Sequence, residues 1–162
     1  MKKLNKDNKG FSLVELLVVI AIMVVLVGVI APTLLSNIEK SRVAADIQSL
    51  DAVAGAVQDA LADESAYTAA MLTSNGYAGA KSINDILSGT DDLAKKVQEY
   101  LASAPGLKGT NATGKTIYVS ISDKARVTVW VDNATPTAAP TSGTASNIVK
   151  AKDDKTYYYV QR

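Results

Sequence analysis

Hydrophobic residues follow three different spacings along this chain, and each spacing predicts a different kind of element. Residues 16–31 carry no polar side chain, and with their apolar flanks they approach the roughly 20 residues that a helix needs to cross a bilayer. Beyond Pro32, apolar residues recur every three or four positions, which is typical of one helical face. From 117 onward they alternate with polar residues, as in β-strands.

The first two patterns join into one helix that we expect to run from about Phe11 to about Asp63. Its first half needs lipid or other helices around it, and its second half needs a sheet against one apolar stripe. The charged residues of the second half, Glu39 and Asp46 among them, lie mostly off this stripe. The stripe consists of Leu34, Leu35, Ile38, Ile47, Leu50, Val53, Ala54, Val57 and Leu61.

The middle of the chain is less regular. Glycines between 65 and 89 mark loops, and Ser82 is suited to cap a short helix that follows it. Asp91 and Asp92 suit the first turn of another helix, since acidic side chains are favoured there. The apolar residues of that helix are spaced four apart, and we expect it to end at Pro105.

The C-terminal part of the chain predicts two β-hairpins. Turns at 122–125 and at 153–155 would join their strands, and the loop between the hairpins, 133–146, is rich in Ala, Thr, Pro, Ser and Gly. We expect about four antiparallel strands that pack one face on the helical stripe, which makes the fold class α+β. The predicted strands lie at 117–121, 127–131, 148–149 and 157–160.

The order of segments at the N-terminus distinguishes two kinds of membrane helix. A basic segment with four lysines comes first, then Gly10, and only then the apolar run. A secretory signal peptide would place its cleavage site after the apolar run, where Pro32 directly follows Ala31 and argues against cleavage. The simplest interpretation is a single-pass anchor, whose lysines would keep the N-terminus inside the cell.

The junction itself carries a more specific pattern. Lys9, Gly10, Phe11 and Glu15 resemble the leader-peptide junction of the type IV pilins, a family that includes the pseudopilins of type II secretion and the competence pilins. A simple anchor has no use for Glu15, because a charge in a membrane helix costs roughly 2.5–3.5 kcal/mol at the centre and less near an end. The resemblance implies the pilin fold, a long N-terminal helix on an antiparallel sheet.

The resemblance also implies roles for individual residues. A prepilin peptidase would cut between Gly10 and Phe11 and methylate the new amine of Phe11. Glu15 would serve assembly by pairing with the Phe11 amine of a neighbouring subunit, and Gly28 and Pro32 would mark a helix break, since proline removes the hydrogen bond to the carbonyl four residues earlier. The expected domains are a leader at 1–10, a transmembrane and filament-core helix at 11–35, and a globular head at 36–162.

The amino-acid composition excludes most kinds of catalytic site. The chain has no cysteine and no histidine, so it offers no thiol nucleophile, no imidazole base and no His/Cys zinc site, and we expect neither an enzyme nor a bound cofactor or metal. The carboxylate pairs Asp63-Glu64, Asp91-Asp92 and Asp153-Asp154 fit helix ends, helix starts and turns. Calcium near Asp153-Asp154 or Asp132-Asn133 is conceivable, but a full set of oxygen ligands cannot be deduced.

Two further patterns suggest ligands or modification without strong support. Lys150, Lys152, Lys155 and Arg162 surround three tyrosines, which could hold single-stranded DNA, although an edge hairpin protected by lysines is the interpretation we favour. The triplets that begin at Asn111 and Asn133 fit the acceptor pattern for N-glycosylation. The formal net charge of +1 indicates no strong attraction to nucleic acid or acidic lipid.

These observations favour a structural protein, the subunit of a helical type IV pilus that serves adhesion, motility or DNA uptake. Its partners would be further copies of itself, the prepilin peptidase, the membrane before assembly, and indirectly the inner-membrane platform and assembly ATPase. The precursor would lie in the cytoplasmic membrane and the filament outside the cell. Two alternatives remain: a type II secretion or competence pseudopilin, and a membrane-anchored binding module that never polymerises.

Overall fold

The computed structural model describes residues 11–133, 136–141, 148–152 and 156–162. The chain divides into two compact units, Met1–Ile38 and Glu39–Arg162. The predictions made for the leader, Gly10 included, and for the acidic turn at Asp153-Asp154 lie outside the described residues.

The first unit is helical. Helix α1 spans Leu13–Ala60. Its residues up to Ile38 form all the regular structure described for the first unit. The prediction of one continuous helix is confirmed, although its ends lie two to three residues inside the predicted bounds, Phe11 and Asp63. The backbone N–H groups of Ala62 and Asp63 bond carbonyls only three residues earlier, which closes the last turn of the helix.

The second unit contains one apolar core. Along α1, Leu50, Val53, Ala54 and Val57 are fully buried, as the stripe predicted, whereas the first three residues of the stripe, at 34, 35 and 38, are exposed. Burying a side chain of this size contributes about 1.5–3 kcal/mol, so this half of the helix is stabilised by the core that it joins. Across the core lie residues of one face of the sheet, namely Val119, Ile121, Val127, Val129 and Val131.

The sheet has four strands among the described residues, all antiparallel, in the order β1-β2-β3-β4. The central hairpin pairs Ile117 with Val131 and Ile121 with Val127, and both of its strands were predicted. A long helix with a four-stranded antiparallel sheet confirms the predicted α+β pilin fold. The strands are β1 (Lys81–Ser82), β2 (Thr116–Ile121), β3 (Val127–Asp132) and β4 (Tyr159–Gln161).

The outer strands differ from the prediction. The segment at 148–149 forms no strand, since Ile148 makes only an isolated bridge with Asp132 of β3. Strand β1, which was not predicted, pairs with β2 at the opposite edge of the sheet. Ser82 caps a helix from an extended backbone, with φ −68° and ψ 146°. Because an N-cap residue keeps β-like dihedral angles, Ser82 can also pair with Tyr118.

Three short helices precede the central hairpin, and the first was not predicted. Helix α2 (Glu64–Met71) fully buries only alanines, and its two larger apolar residues, Tyr67 and Met71, are too few to reveal a helical stripe. Asp63-Glu64, predicted to end the first helix, instead opens α2. The Ser65 hydroxyl and the backbone N–H of Ala66 hold the pKa of Asp63 below its usual range.

The other two helices were predicted, and the cap at Ser82 is confirmed, while Asp91, expected in the first turn, is the N-cap of its helix. Helix α3 (Ile83–Leu87) has Ser82 as its N-cap, and helix α4 (Asp92–Tyr100) has Asp91. Helix α4 ends earlier than expected, with Leu101 rather than Pro105 at its C-terminus.

Both faces of the sheet are covered. Every residue of β3 is buried, and on the face opposite the α1 core Trp130 stacks on Tyr118 with 6.1 Å between ring centroids. Ile148 joins this second cluster. The indole N–H of Trp130 donates to Asp132 at 3.1 Å, so a carboxylate considered as a calcium ligand serves the fold.

Candidate functional site

The N-terminal end of α1 is closed by a reciprocal pair of side-chain hydrogen bonds. Ser12 stands at the N-cap, and its hydroxyl oxygen accepts from the backbone N–H of Val14 at 3.3 Å. The Glu15 carboxylate reaches back and accepts the backbone N–H of Ser12 at 2.9 Å. Ser12 and Glu15 therefore form a capping box, in which two otherwise unpaired helix-terminal donors are satisfied.

The capping box gives Glu15 a role that the sequence analysis did not assign. A carboxylate in the first helical turn is favoured by the helix dipole, and its bond to the backbone N–H of Ser12 holds it at the helix terminus. Among the described residues, Glu15 is bonded through Oε2 alone, and Phe11 is 90% exposed. The Ser-x-x-Glu spacing was the available signal, and it identifies a helix start directly.

The rest of the first unit presents an apolar surface. None of the described residues up to Ile38 is buried, and large side chains such as Leu26 and Val29 are 55% and 71% exposed. By length and composition, α1 is long and apolar enough to cross a membrane. A helix of this length and composition fits a membrane anchor.

Gly28 and Pro32 both lie inside α1. A Cβ placed at Gly28 would meet no atom within 4 Å, so packing within the described structure does not require glycine there. The helix break predicted at Gly28 and Pro32 concerns the assembled filament and stays a prediction.

Two carboxylates of α1 hold a loop of the second unit. Asp46 accepts the backbone N–H groups of Lys108 at 2.8 Å and of Gly109 at 2.6 Å, and Glu39 accepts that of Thr110 at 2.6 Å. Glu39 and Asp46 are seven residues apart, which places them on one side of the helix. Three consecutive backbone donors are thus bound to α1.

This arrangement was not predicted, because both acids were placed off the apolar stripe. Asp46 is buried, and its spacing from Val43 and Leu50 fits the stripe, which was the overlooked signal. The loop also packs tightly, since a Cβ at Gly109 would overlap the Tyr158 hydroxyl and approach Asp46 to 3.0 Å. The backbone N–H and hydroxyl of Thr110 hold the pKa of Glu39 below its usual range.

The residues suggested for single-stranded DNA do not form an open platform. Arg162 donates to Asp51 of α1 at 2.9 Å and 2.6 Å, and Tyr158 is fully buried. Lys150 lies 5.4 Å from the centre of the Tyr157 ring. Lys155 lies outside the described residues.

The other candidate sites also involve residues engaged in the fold. The side-chain amide of Asn111 donates to the Lys150 carbonyl at 3.0 Å. The side chain of one candidate glycosylation site is therefore already hydrogen-bonded. Within the described part of the chain, no cluster of three or more acidic side chains is placed to hold a metal ion.

Comparison with known proteins identifies one segment. Residues 5–31 match the prokaryotic N-terminal methylation motif, which is the type IV prepilin leader signature. The match covers the second half of the basic segment, the glycine junction and the whole apolar run at 16–31. No curated protein and no solved structure shows significant similarity to the chain.

Proposed function

We propose that this chain is the structural subunit of a type IV pilus, which polymerises through its apolar helix into a surface filament. The observation that carries the proposal is the methylation motif at 5–31, which includes the start of helix α1, a helix with no buried residue up to Ile38 among the described residues. A helix of this kind needs a partner surface once it leaves lipid, because exposed apolar area is costly in water. Other copies of the same helix provide that surface.

Processing prepares the end of the helix for assembly. Cleavage between Gly10 and Phe11 creates a charged amine one residue before the capping box, and methylation of that amine preserves its charge. Glu15 is then a fixed acceptor, because its bond to Ser12 holds the carboxylate at the helix terminus. In a core of apolar helices an unpaired charge is very costly, so each Glu15 requires a cation.

The amine of an incoming subunit supplies this cation. Pairing of the Phe11 amine with Glu15 of a subunit already in place fixes the axial register, whereas apolar helices alone could slide. Gly28 and Pro32 contribute a segment in which the helix can bend or unwind as the filament forms, because Pro32 cannot bond the Gly28 carbonyl.

Two further candidates share parts of this evidence. A type II secretion or competence pseudopilin would carry the same motif and helix but form a short filament within the envelope. A membrane-anchored binding module would keep the helix in lipid and remain unassembled. The motif favours the first of these over the second, because processing of the junction serves no purpose in a simple anchor.

The mass of the protein purified from cells tests the proposal. We expect a mature chain that begins at Phe11 and carries one methyl group on its amine. A chain that begins at Met1, or after Ala31, would overturn the pilin interpretation. Electron microscopy of the same cells then separates the candidates, since long fibres containing this chain indicate a pilus, short envelope filaments a pseudopilin, and unassembled protein an anchor.

A further inference from the structure

The segment between α2 and β1 contains the only Asn-Gly pair of the sequence, Asn75-Gly76. We propose that this pair is a one-way chemical switch, in which the backbone nitrogen of Gly76 attacks the side-chain amide of Asn75 and releases the segment from α2. The proposal does not depend on filament assembly.

The reaction consumes water and releases ammonia. The Gly76 nitrogen forms a bond to Cγ of Asn75, the side-chain nitrogen leaves as ammonia with the proton from Gly76, and a five-membered succinimide remains. Water then adds to one of the two ring carbonyls and breaks its bond to nitrogen. The product is aspartate or isoaspartate at position 75, with one new negative charge and no change in oxidation state.

Gly76 offers little steric resistance to ring closure. Its φ is +72°, and a Cβ built on it would meet nothing within 4 Å. Glycine is the residue that adopts this left-handed conformation at no cost and leaves the backbone nitrogen unshielded. Position 76 therefore has no side chain of its own that would hinder attack by its backbone nitrogen.

Two hydrogen bonds of Asn75 restrain the reaction in the folded state. Its side-chain amide donates to the backbone carbonyl of Ala69 at 2.6 Å, and its backbone carbonyl accepts from Lys81 Nζ at 3.1 Å. Ring closure requires the amide to leave Ala69 and turn toward Gly76. Local opening of this segment is therefore the step that controls the rate.

The product cannot restore the original state. An ionised carboxylate has no hydrogen to donate, so the Ala69 carbonyl, one of the last four of α2, loses its partner. The new charge also attracts the Lys81 ammonium, which lies 4.1 Å from the centre of the Tyr77 ring. Because Lys81 is the first residue of β1, the change reaches the edge of the sheet.

Peptide mapping of the full-length protein in detergent tests the switch. During incubation at mildly alkaline pH, we expect conversion at Asn75, while Asn84 and Asn111 in the same chain stay unmodified. Lys81→Met removes one restraint and should accelerate conversion several-fold, because a hydrogen bond to a charged group contributes to keeping the segment closed. Asn75→Gln keeps the amide donor but cannot close a five-membered ring, so it should remain unmodified.

The consequence is measured separately by hydrogen exchange. In Asn75→Asp, the backbone amides of residues 69–82 should exchange faster than in wild type, while those of β3 should exchange at the wild-type rate. The exchange rates of Asn75→Gln should stay closer to wild type. A folded protein that keeps Asn75 intact while the unfolded chain converts would overturn the proposal. So would a Lys81→Met rate equal to wild type, or unchanged exchange in Asn75→Asp.

Discussion

The two halves of helix α1 have opposite surroundings although they belong to one regular element. Up to Ile38 none of the described residues is buried, whereas from Glu39 onward Leu50, Val53 and Val57 are completely covered. Helical structure is therefore no guide to what stabilises a segment. The second half is stabilised by the sheet of its own unit, and the first half requires lipid or other chains.

The two halves also use carboxylates differently. Asp46 is buried and accepts two backbone N–H groups from a distant loop, so its bonds hold the fold together. Glu15 is exposed and accepts one N–H from its own helix terminus. A carboxylate satisfied within the fold indicates a structural role, while one fixed at an exposed apolar surface is available to a partner.

Replacement of Glu15 should have the largest effect and should affect only assembly. Glu15→Val is expected to be inserted and cleaved normally, because its change lies outside the cleaved bond, yet to be absent from filaments, because the incoming amine finds no anion. Immunoblots of sheared filaments and of membranes measure the two pools. Ser12→Ala, which keeps the carboxylate, serves as control and should assemble. Wild-type yields from Glu15→Val alone would show that the carboxylate is only tolerated.

A pair of leucine truncations separates the halves by stability. Leu50→Ala should lower the free energy of unfolding of the second unit by about 2–5 kcal/mol, because it leaves a cavity in a packed core. Leu26→Ala removes the same atoms from an exposed surface and should leave that unfolding transition unchanged. Denaturant titrations in detergent measure both, and equal losses in the two variants would contradict the distinction.

Asp46→Asn probes the carboxylate of the second half. The backbone N–H of Lys108 donates to both carboxylate oxygens and that of Gly109 to Oδ2. An amide keeps one acceptor oxygen but loses the negative charge, and hydrogen bonds to charged groups contribute about 1.5–3 kcal/mol each. We expect the free energy of unfolding to fall by about that amount. Hydrogen exchange should increase first in the loop at 107–113. Glu15→Val is the matched control and should leave hydrogen exchange in this loop unchanged.

The smallest effect is a pH dependence of the second unit. Hydrogen bonds from Thr110 lower the pKa of Glu39, so its contribution is complete above the ordinary glutamate pKa of about 4.3 and is lost as pH falls through the lower folded-state value. Glu39→Gln should therefore flatten the loss of stability below about pH 4.3. If Glu39→Gln loses stability at acidic pH as wild type does, Glu39 does not bind the loop in solution.

Local patterns were sufficient for much of this molecule. The long helix, the caps at Ser82 and Asp91, the central hairpin and the glycine junction all depend on neighbouring residues, through side-chain spacing, cap hydrogen bonds and the order of segments. The capping box at Ser12 and Glu15 was equally legible in the sequence, since its two residues are three apart.

Long-range packing decided the rest. Helix α2 buries only alanines, so its position on the core, rather than its own apolar pattern, accounts for it. The edge strand β1 is two residues long and exists because Tyr118 and Val119 offer unpaired backbone groups. The bonds of Asp46 join residues more than 60 positions apart, and no local spacing encodes which loop will meet a carboxylate. The sequence alone determined the long helix, the central hairpin and the methylation motif at the N-terminus, whereas the tertiary structure decided which buried polar groups meet.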